Sequence, residues 1–172
     1  MGISFGFYTE PEYMDGLNNS LYYENIDSVA RNNIILNIRG AGIGLYSSLR
    51  PVVYHNTIWG AAQQMQTPLL INGVQHWDPE KNHPLIGSKD ITVFNNIFNK
   101  NPEARKGMIV QIRSVTSWDG TKTIGGLNGT YYSNNNIYYL VNYLDIIIIF
   151  LTFICSLVIY HLQFSNGDAV LC

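Results

Sequence analysis

Up to about Leu140 the apolar residues fall in short β-branched and aromatic runs broken by Asn, Gly and Ser, and no stretch sustains a helical period. Runs of this kind predict short strands, so the body of the chain is expected to be all-β. Two kinds of run alternate. One closes on Asn and resumes with an apolar pair, as in Asn33-Ile34-Ile35, Asn56-Thr57-Ile58, Asn95-Asn96-Ile97-Phe98 and Asn135-Asn136-Ile137-Tyr138. Taken at Asn33, Asn56, Asn95 and Asn135, the spacings are 23, 39 and 40 residues. The other kind is Ile43-Gly44-Leu45-Tyr46, Leu69-Leu70-Ile71-Asn72 and Val110-Gln111-Ile112-Arg113. Strand alternation then puts Ile43, Leu69 and Val110 in one inward layer and Leu45, Ile71 and Ile112 in a second. Gly44, Leu70 and Gln111 face outward, and so do Tyr46, Asn72 and Arg113.

A strand unit that recurs at such spacings cannot bury its apolar face alone and must stack on its neighbours. Asn suits the recurring corner, because it tolerates the left-handed backbone region and its amide can bond the equivalent Asn one repeat away. On these Asn-Asn-Ile and Asn-Thr-Ile corners, together with Gly-Ala-Gly-Ile-Gly-Leu (40–45) and Pro-Leu-Leu-Ile-Asn-Gly (68–73), the chain resembles the right-handed parallel β-helix, or pectin-lyase-like, family. The resemblance covers Asn25 to Tyr139 and implies a right-handed parallel β-helix of three to four coils, short for that family and read as a fragment. Residues 1–24 are expected to cap one end or to form a preceding coil. An antiparallel sandwich is the alternative fold; against it, Asn72-Gly73 is the one tight hairpin signal between neighbouring apolar runs.

The pattern changes near Leu140. Of 22 charged residues only Asp145 and Asp168 follow Lys122, and the run from Ile146 to Phe164 carries no charge. As a helix its 19 residues would rise about 28 Å, the thickness of a bilayer's hydrocarbon core. Residues 140–172 are therefore expected to hold a C-terminal hydrophobic helix that makes the protein membrane-associated; a buried strand or core helix is the competing reading. Which side of the membrane the body would occupy stays open. Net charge −2 and 13% charged residues exclude a basic nucleic-acid binder. Cys155 and Cys172, the two cysteines, exclude a disulfide-rich scaffold.

Candidate chemistry gathers after the second kind of run. A Trp-Asp-x-x-Lys element occurs twice at an offset of 41, as Trp77, Asp78, Lys81 and as Trp118, Asp119, Lys122, the same offset that relates Asn72 to Arg113. On stacked repeats, Trp77 and Trp118 with Tyr46, Asn72, Gln111 and Arg113 form a carbohydrate-binding face, the rings covering a sugar's apolar side and the polar groups its hydroxyls or carboxylate. In the opposing reading each Trp seals the side of its repeat while its Asp and Lys make a local turn or a surface ion pair. The resemblance implies kinship with polysaccharide lyases and hydrolases; in the lyases a base abstracts a proton beside a uronate carboxylate, often with Ca2+ bound by acidic residues. In that role Arg113, Lys81 and Lys122 would act as base or carboxylate clamp, and Asp78 and Asp119 as acids or calcium ligands, although no catalytic motif of the family matches residue by residue. His55, His76 and His83 lack ligand spacing, so no metal site is expected from them and no cofactor is required. Two further readings stand beside carbohydrate binding: a non-catalytic structural module anchored to a membrane, and a truncated fragment without independent activity.

Overall fold

The structure, a computed structural model, describes residues 1–7, 9, 22–76, 84–100 and 108–140. The described residues form strands and no helix, as the all-β reading expects. The expected C-terminal hydrophobic helix, in residues 141–172, lies outside them, and among the described residues no helix is long and apolar enough to cross a membrane.

Three four-stranded parallel sheets make up the body. The first joins β1 (Ile3–Phe5), β5 (Ile43–Tyr46), β9 (Leu69–Asn72) and β14 (Val110–Arg113) in that order. The second joins β3 (Val29–Arg31), β7 (Val52–Tyr54), β12 (Ile91–Phe94) and β17 (Tyr131–Asn134), and the third β4 (Ile34–Leu36), β8 (Thr57–Ala61), β13 (Ile97–Lys100) and β18 (Ile137–Leu140). The chain visits the three sheets in the same order four times, so each strand pairs with its equivalents in the adjoining repeats, and the strands of the first and fourth repeats pair on one side only among the described residues. Between the first and second sheets, β2 (Asn25–Ile26) and β6 (Ser48–Leu49) form a short parallel pair. Two antiparallel hairpins branch off the first sheet: β10 (Val74–Gln75) with β11 (Leu85–Ile86), and β15 (Val115–Thr116) with β16 (Thr123–Ile124).

In the first sheet Ile43, Leu69 and Val110 are in register, as are Leu45, Ile71 and Ile112, and the layer extends to Ile3 and Phe5 of β1. Val53 with Val93 and Ile58 with Phe98 supply the matching columns of the other two sheets, and all four are fully buried. A fully buried side chain of this size contributes about 1.5–3 kcal/mol, and stacking repeats is the only way these short strands obtain it. Facing and exposure part company at three residues. Tyr46 and Leu70 do face outward, yet they are 5% and 0% exposed, because with Ala41 and Val74 they form a second apolar cluster on the outer side of the sheet. Ile112 faces inward but is 48% exposed, since β14 is the last strand of its sheet among the described residues.

The corner between the second and third sheets carries a polar column inside the apolar core. Asn33 donates its backbone and side-chain N–H groups to Asn56 Oδ1 (3.1 and 2.9 Å), Asn56 to Asn96 Oδ1 (3.0 and 3.0 Å), and Asn96 to Asn136 Oδ1 (3.0 and 2.9 Å). Each inner amide also donates to backbone carbonyls, Asn56 to Ala30 and Tyr54, Asn96 to Val53 and Phe94. Asn56 and Asn96 are 1% exposed. The ladder therefore runs through Asn96 and Asn136 and not through Asn95 and Asn135. Those two belong to the adjacent column of left-handed residues, Asn32, His55, Asn95 and Asn135, with φ of 56°, 53°, 53° and 49°. Neighbouring residues thus divide the two roles expected of one: the first bends the chain and the second turns inward to bond the next repeat.

This division predicts opposite outcomes for neighbouring substitutions. Asn96→Leu leaves buried donors and acceptors of Asn56 and Asn136 unpaired and should cost about 2–4 kcal/mol. Asn95→Gly keeps the left-handed corner and should be within about 1 kcal/mol of the wild type. Chemical denaturation of both variants checks this, and equal losses would mean that position 96 is not a ladder position.

Candidate functional site

The two hairpins and the outer side of the first sheet build a groove. Asn72 and Arg113, in register at the ends of β9 and β14, mark where each hairpin leaves the sheet. Gly73 follows at once, and a Cβ there would lie 2.7 Å from Val115 Cγ1 and 2.8 Å from the Ile86 carbonyl, so glycine lets one hairpin settle against the other. Gly126 repeats the device after β16, where a Cβ would meet the Arg113 carbonyl oxygen at 2.0 Å. The Trp118 amide donates to Gln75 Oε1 (2.7 Å), a tie between the hairpins through a side chain that is itself buried.

Between these hairpins and the N-terminal strand lies a cavity of about 180 Å3, walled by Phe7, Tyr46, Asn72, Gln75, Thr116 and Trp118, with Gly73, Val74 and Val115 completing it. Trp118 is 51% and Phe7 56% exposed. The Phe7 ring meets Tyr46 edge to face, centroids 5.4 Å apart. Burial pushes the Tyr46 phenol above its ordinary value, opposed by the Gln66 amide bonded to its oxygen (3.2 Å) and by the charge of Arg113. Phe7 is held from below by a fully buried pair. Glu24 accepts from Thr9 N and Thr9 Oγ1 (2.8 Å each) and from Phe7 N (3.4 Å), while His76 Nδ1 lies 3.6 Å from Glu24 Oε1 and 3.1 Å from the Thr9 carbonyl oxygen.

Of the residues singled out in the sequence, Tyr46, Asn72 and Trp118 line this one cavity. Gln111 and Arg113 sit on the same outer side of the sheet on β14, where Arg113 Nη2 donates to Gln111 Oε1 (3.4 Å), but they do not wall the cavity. Trp77, Asp78 and Lys81 lie outside the described residues, as does His83. His55 occupies a left-handed corner with its Nε2 3.1 Å from Asn95 Nδ2, and His76 is the buried partner of Glu24. Phe7, Gln75 and Thr116 were not singled out. For Phe7 a signal exists, since Ile3-Ser4-Phe5 repeats Ile43-Gly44-Leu45 at an offset of 40 and so marks a first-sheet strand just before it. Gln75 carries no comparable mark.

Asp119 and Lys122 serve a turn. Asp119 Oδ1 accepts from Ser117 Oγ (2.6 Å), Thr121 N (3.0 Å) and Thr121 Oγ1 (2.8 Å), and Lys122 N donates to Ser117 Oγ (2.9 Å) while its carbonyl accepts from Ser117 N (2.7 Å). These bonds close the β15–β16 hairpin and set the place of Trp118. Of the two carboxylates named for calcium, Asp119 has one oxygen accepting three hydrogen bonds and Asp78 lies outside the described residues, among which no three His, Cys, Asp or Glu side chains gather. In comparisons with models of known families, with curated proteins and with solved structures, nothing matches this chain.

The turn makes a pH prediction. The Ser117 hydroxyl first, then the amide and hydroxyl of Thr121, hold the Asp119 carboxyl down at about 2, below its ordinary 3.8. Because the folded value is the lower one, the turn's support is present above about pH 3.8 and is lost as pH falls towards 2. Trp118 emission should therefore change in acid with a midpoint near 2, and Asp119→Ala should abolish that transition. A midpoint near 3.8, the ordinary value, would show a carboxylate free of the turn.

Proposed function

We propose that the chain is a right-handed parallel β-helix module that recognises carbohydrate through the groove beside Trp118. The β-helix reading is supported by three parallel sheets visited in constant order and by an amide ladder across all four repeats. The observation that carries the binding reading is the half-exposed Trp118 ring at the edge of a small cavity whose other wall is Phe7 packed on Tyr46. A pyranose ring is apolar on its faces and polar around its rim. Aromatic side chains cover the first, and the polar residues Asn72 and Thr116, which also line the cavity, would meet the second. At about 180 Å3 the cavity is smaller than the roughly 300–1,000 Å3 of sites that enclose a drug-sized ligand, so it takes one ring or the end of a chain. Recognition is favoured over bond cleavage because the Asp119 carboxylate is committed to its turn. A second reading, a purely structural module, is favoured by the Trp118 amide bond to Gln75, which ties the hairpins together with or without a ligand.

One variant separates the two. If the groove binds sugar, Trp118→Ala should weaken capture of the best-bound oligosaccharide on a glycan array by about tenfold or more. Its melting temperature should shift by no more than about 3 °C, the backbone tie to Gln75 being retained. A structural module retains no glycan in either the wild type or the variant, and with the backbone tie intact its melting temperature also changes little.

A further inference from the structure

The first sheet ends, among the described residues, on a strand whose free edge is prepared for another. Leu45 and Ile71 are fully buried in their column, while Ile112, next in register, is 48% exposed. On its paired side β14 accepts the Leu69 N–H at the Ile109 carbonyl (3.0 Å). The alternation of a parallel ladder then aims the N–H groups of Val110 and Ile112 at the open side, where an unpaired edge is a standing template for a further strand.

The path of the chain says which segment reaches that edge. In each repeat it passes from the third sheet back to the first: six residues separate Leu36 from Ile43, seven separate Ala61 from Leu69, and nine separate Lys100 from Val110. Leu140 ends the third sheet for the fourth time. Six to nine further residues bring the chain to positions 147–150, inside Ile146-Ile147-Ile148-Ile149-Phe150-Leu151. Every first-sheet strand carries apolar residues two apart on its inner side, as in Ile3 and Phe5, Ile43 and Leu45, Leu69 and Ile71, Val110 and Ile112. Starts at 147, 148 or 149 supply such a pair as Ile147 and Ile149, Ile148 and Phe150, or Ile149 and Leu151.

We infer that residues 147–151 dock on β14 as the next parallel strand of the first sheet and cover Ile112. The surface is thus an interface within the chain and its occupant is this segment, whereas a bilayer around residues 146–164 and a second copy are the competing occupants. The inference rests on the strand order and is independent of any glycan.

The experiment uses the full chain with phosphatidylcholine vesicles present, so that the bilayer competes for the segment. Backbone amide exchange is read at Val110 and Ile112. Docking should slow both by about 100-fold or more relative to free amides, as for hydrogen-bonded strand positions; free-amide rates at both overturn the inference. A second measurement identifies the occupant and needs no truncation. With Cys155→Ser and Cys172→Ser in place, Ile112→Cys is combined in turn with cysteine at positions 148, 149, 150 and 151. A disulfide within one chain at one or more of these positions is the expected result, because parallel neighbours lie within disulfide reach. Disulfides only between chains, or none at all four positions despite slowed exchange, overturn it.

Discussion

The amide ladder at the corner between the second and third sheets is the interaction on which the rest of the structure depends. A polar column inside an apolar core is tolerable only when each donor and acceptor is used. Asn56 and Asn96 meet that condition, each taking two N–H groups from the repeat before it and giving its own to the repeat after it and to nearby carbonyls. Such a column also selects register. A slip of one residue would bury a bent corner residue and carry the amide outward, and every apolar column in the same strands would turn over with it. Once the corner is registered, Leu45 must lie beside Ile71 and Tyr46 beside Asn72, so the outer face of the first sheet is ordered by contacts on the far side of the core.

That order is passed to the groove through few links. Val115 can pack against Gly73 because the glycine presents no side chain, and Gln75, buried beneath, fixes the Trp118 backbone. From the other side Glu24 and His76 bring the chain just beyond β1 to the hairpin end, which puts Phe7 against Tyr46. The buried Glu24 carboxylate accepts from three N–H or O–H donors of Phe7 and Thr9, so its oxygens are used although they are out of water. The backbone of each exposed aromatic wall, Phe7 and Trp118, is thus held by a hydrogen bond to a buried side chain.

The inward and outward columns of the first sheet were legible because Ile43, Leu69 and Val110 open runs of the same length and the side-chain period of a strand is two. The ladder was less legible for a physical reason. Asn32-Asn33, Asn95-Asn96 and Asn134-Asn135-Asn136 offer the same side chain at the bend and at the inward position. What separates them is the sign of φ and the burial of the amide, neither of which residue type encodes. The uniform 40-residue spacing of Asn56, Asn96 and Asn136 was the one clue. The burial of the outward-facing Tyr46 and Leu70 was not legible, because facing outward from a sheet is local, whereas being covered depends on elements from elsewhere in the chain. In the site, the aromatic and amide residues Tyr46, Asn72 and Trp118 were legible as a group. Phe7 and Gln75 were not, since their roles arise from packing between distant segments.

The spacings along the ladder differ: 23 residues from Asn33 to Asn56, then 40 and 40. The ladder geometry is nevertheless the same at every step, so the additional 17 residues of each longer circuit exert no strain on it. In both longer circuits those residues include the hairpins that wall the groove. The shortest circuit therefore measures what closure of the repeat requires, and most of the added length emerges between the first and second sheets. Drift in the hairpin sequences can remodel the shape and chemistry of the groove while the core and its ladder remain under separate constraint. In this fold the capacity to vary a surface and the capacity to stay folded reside in different stretches of the same repeat.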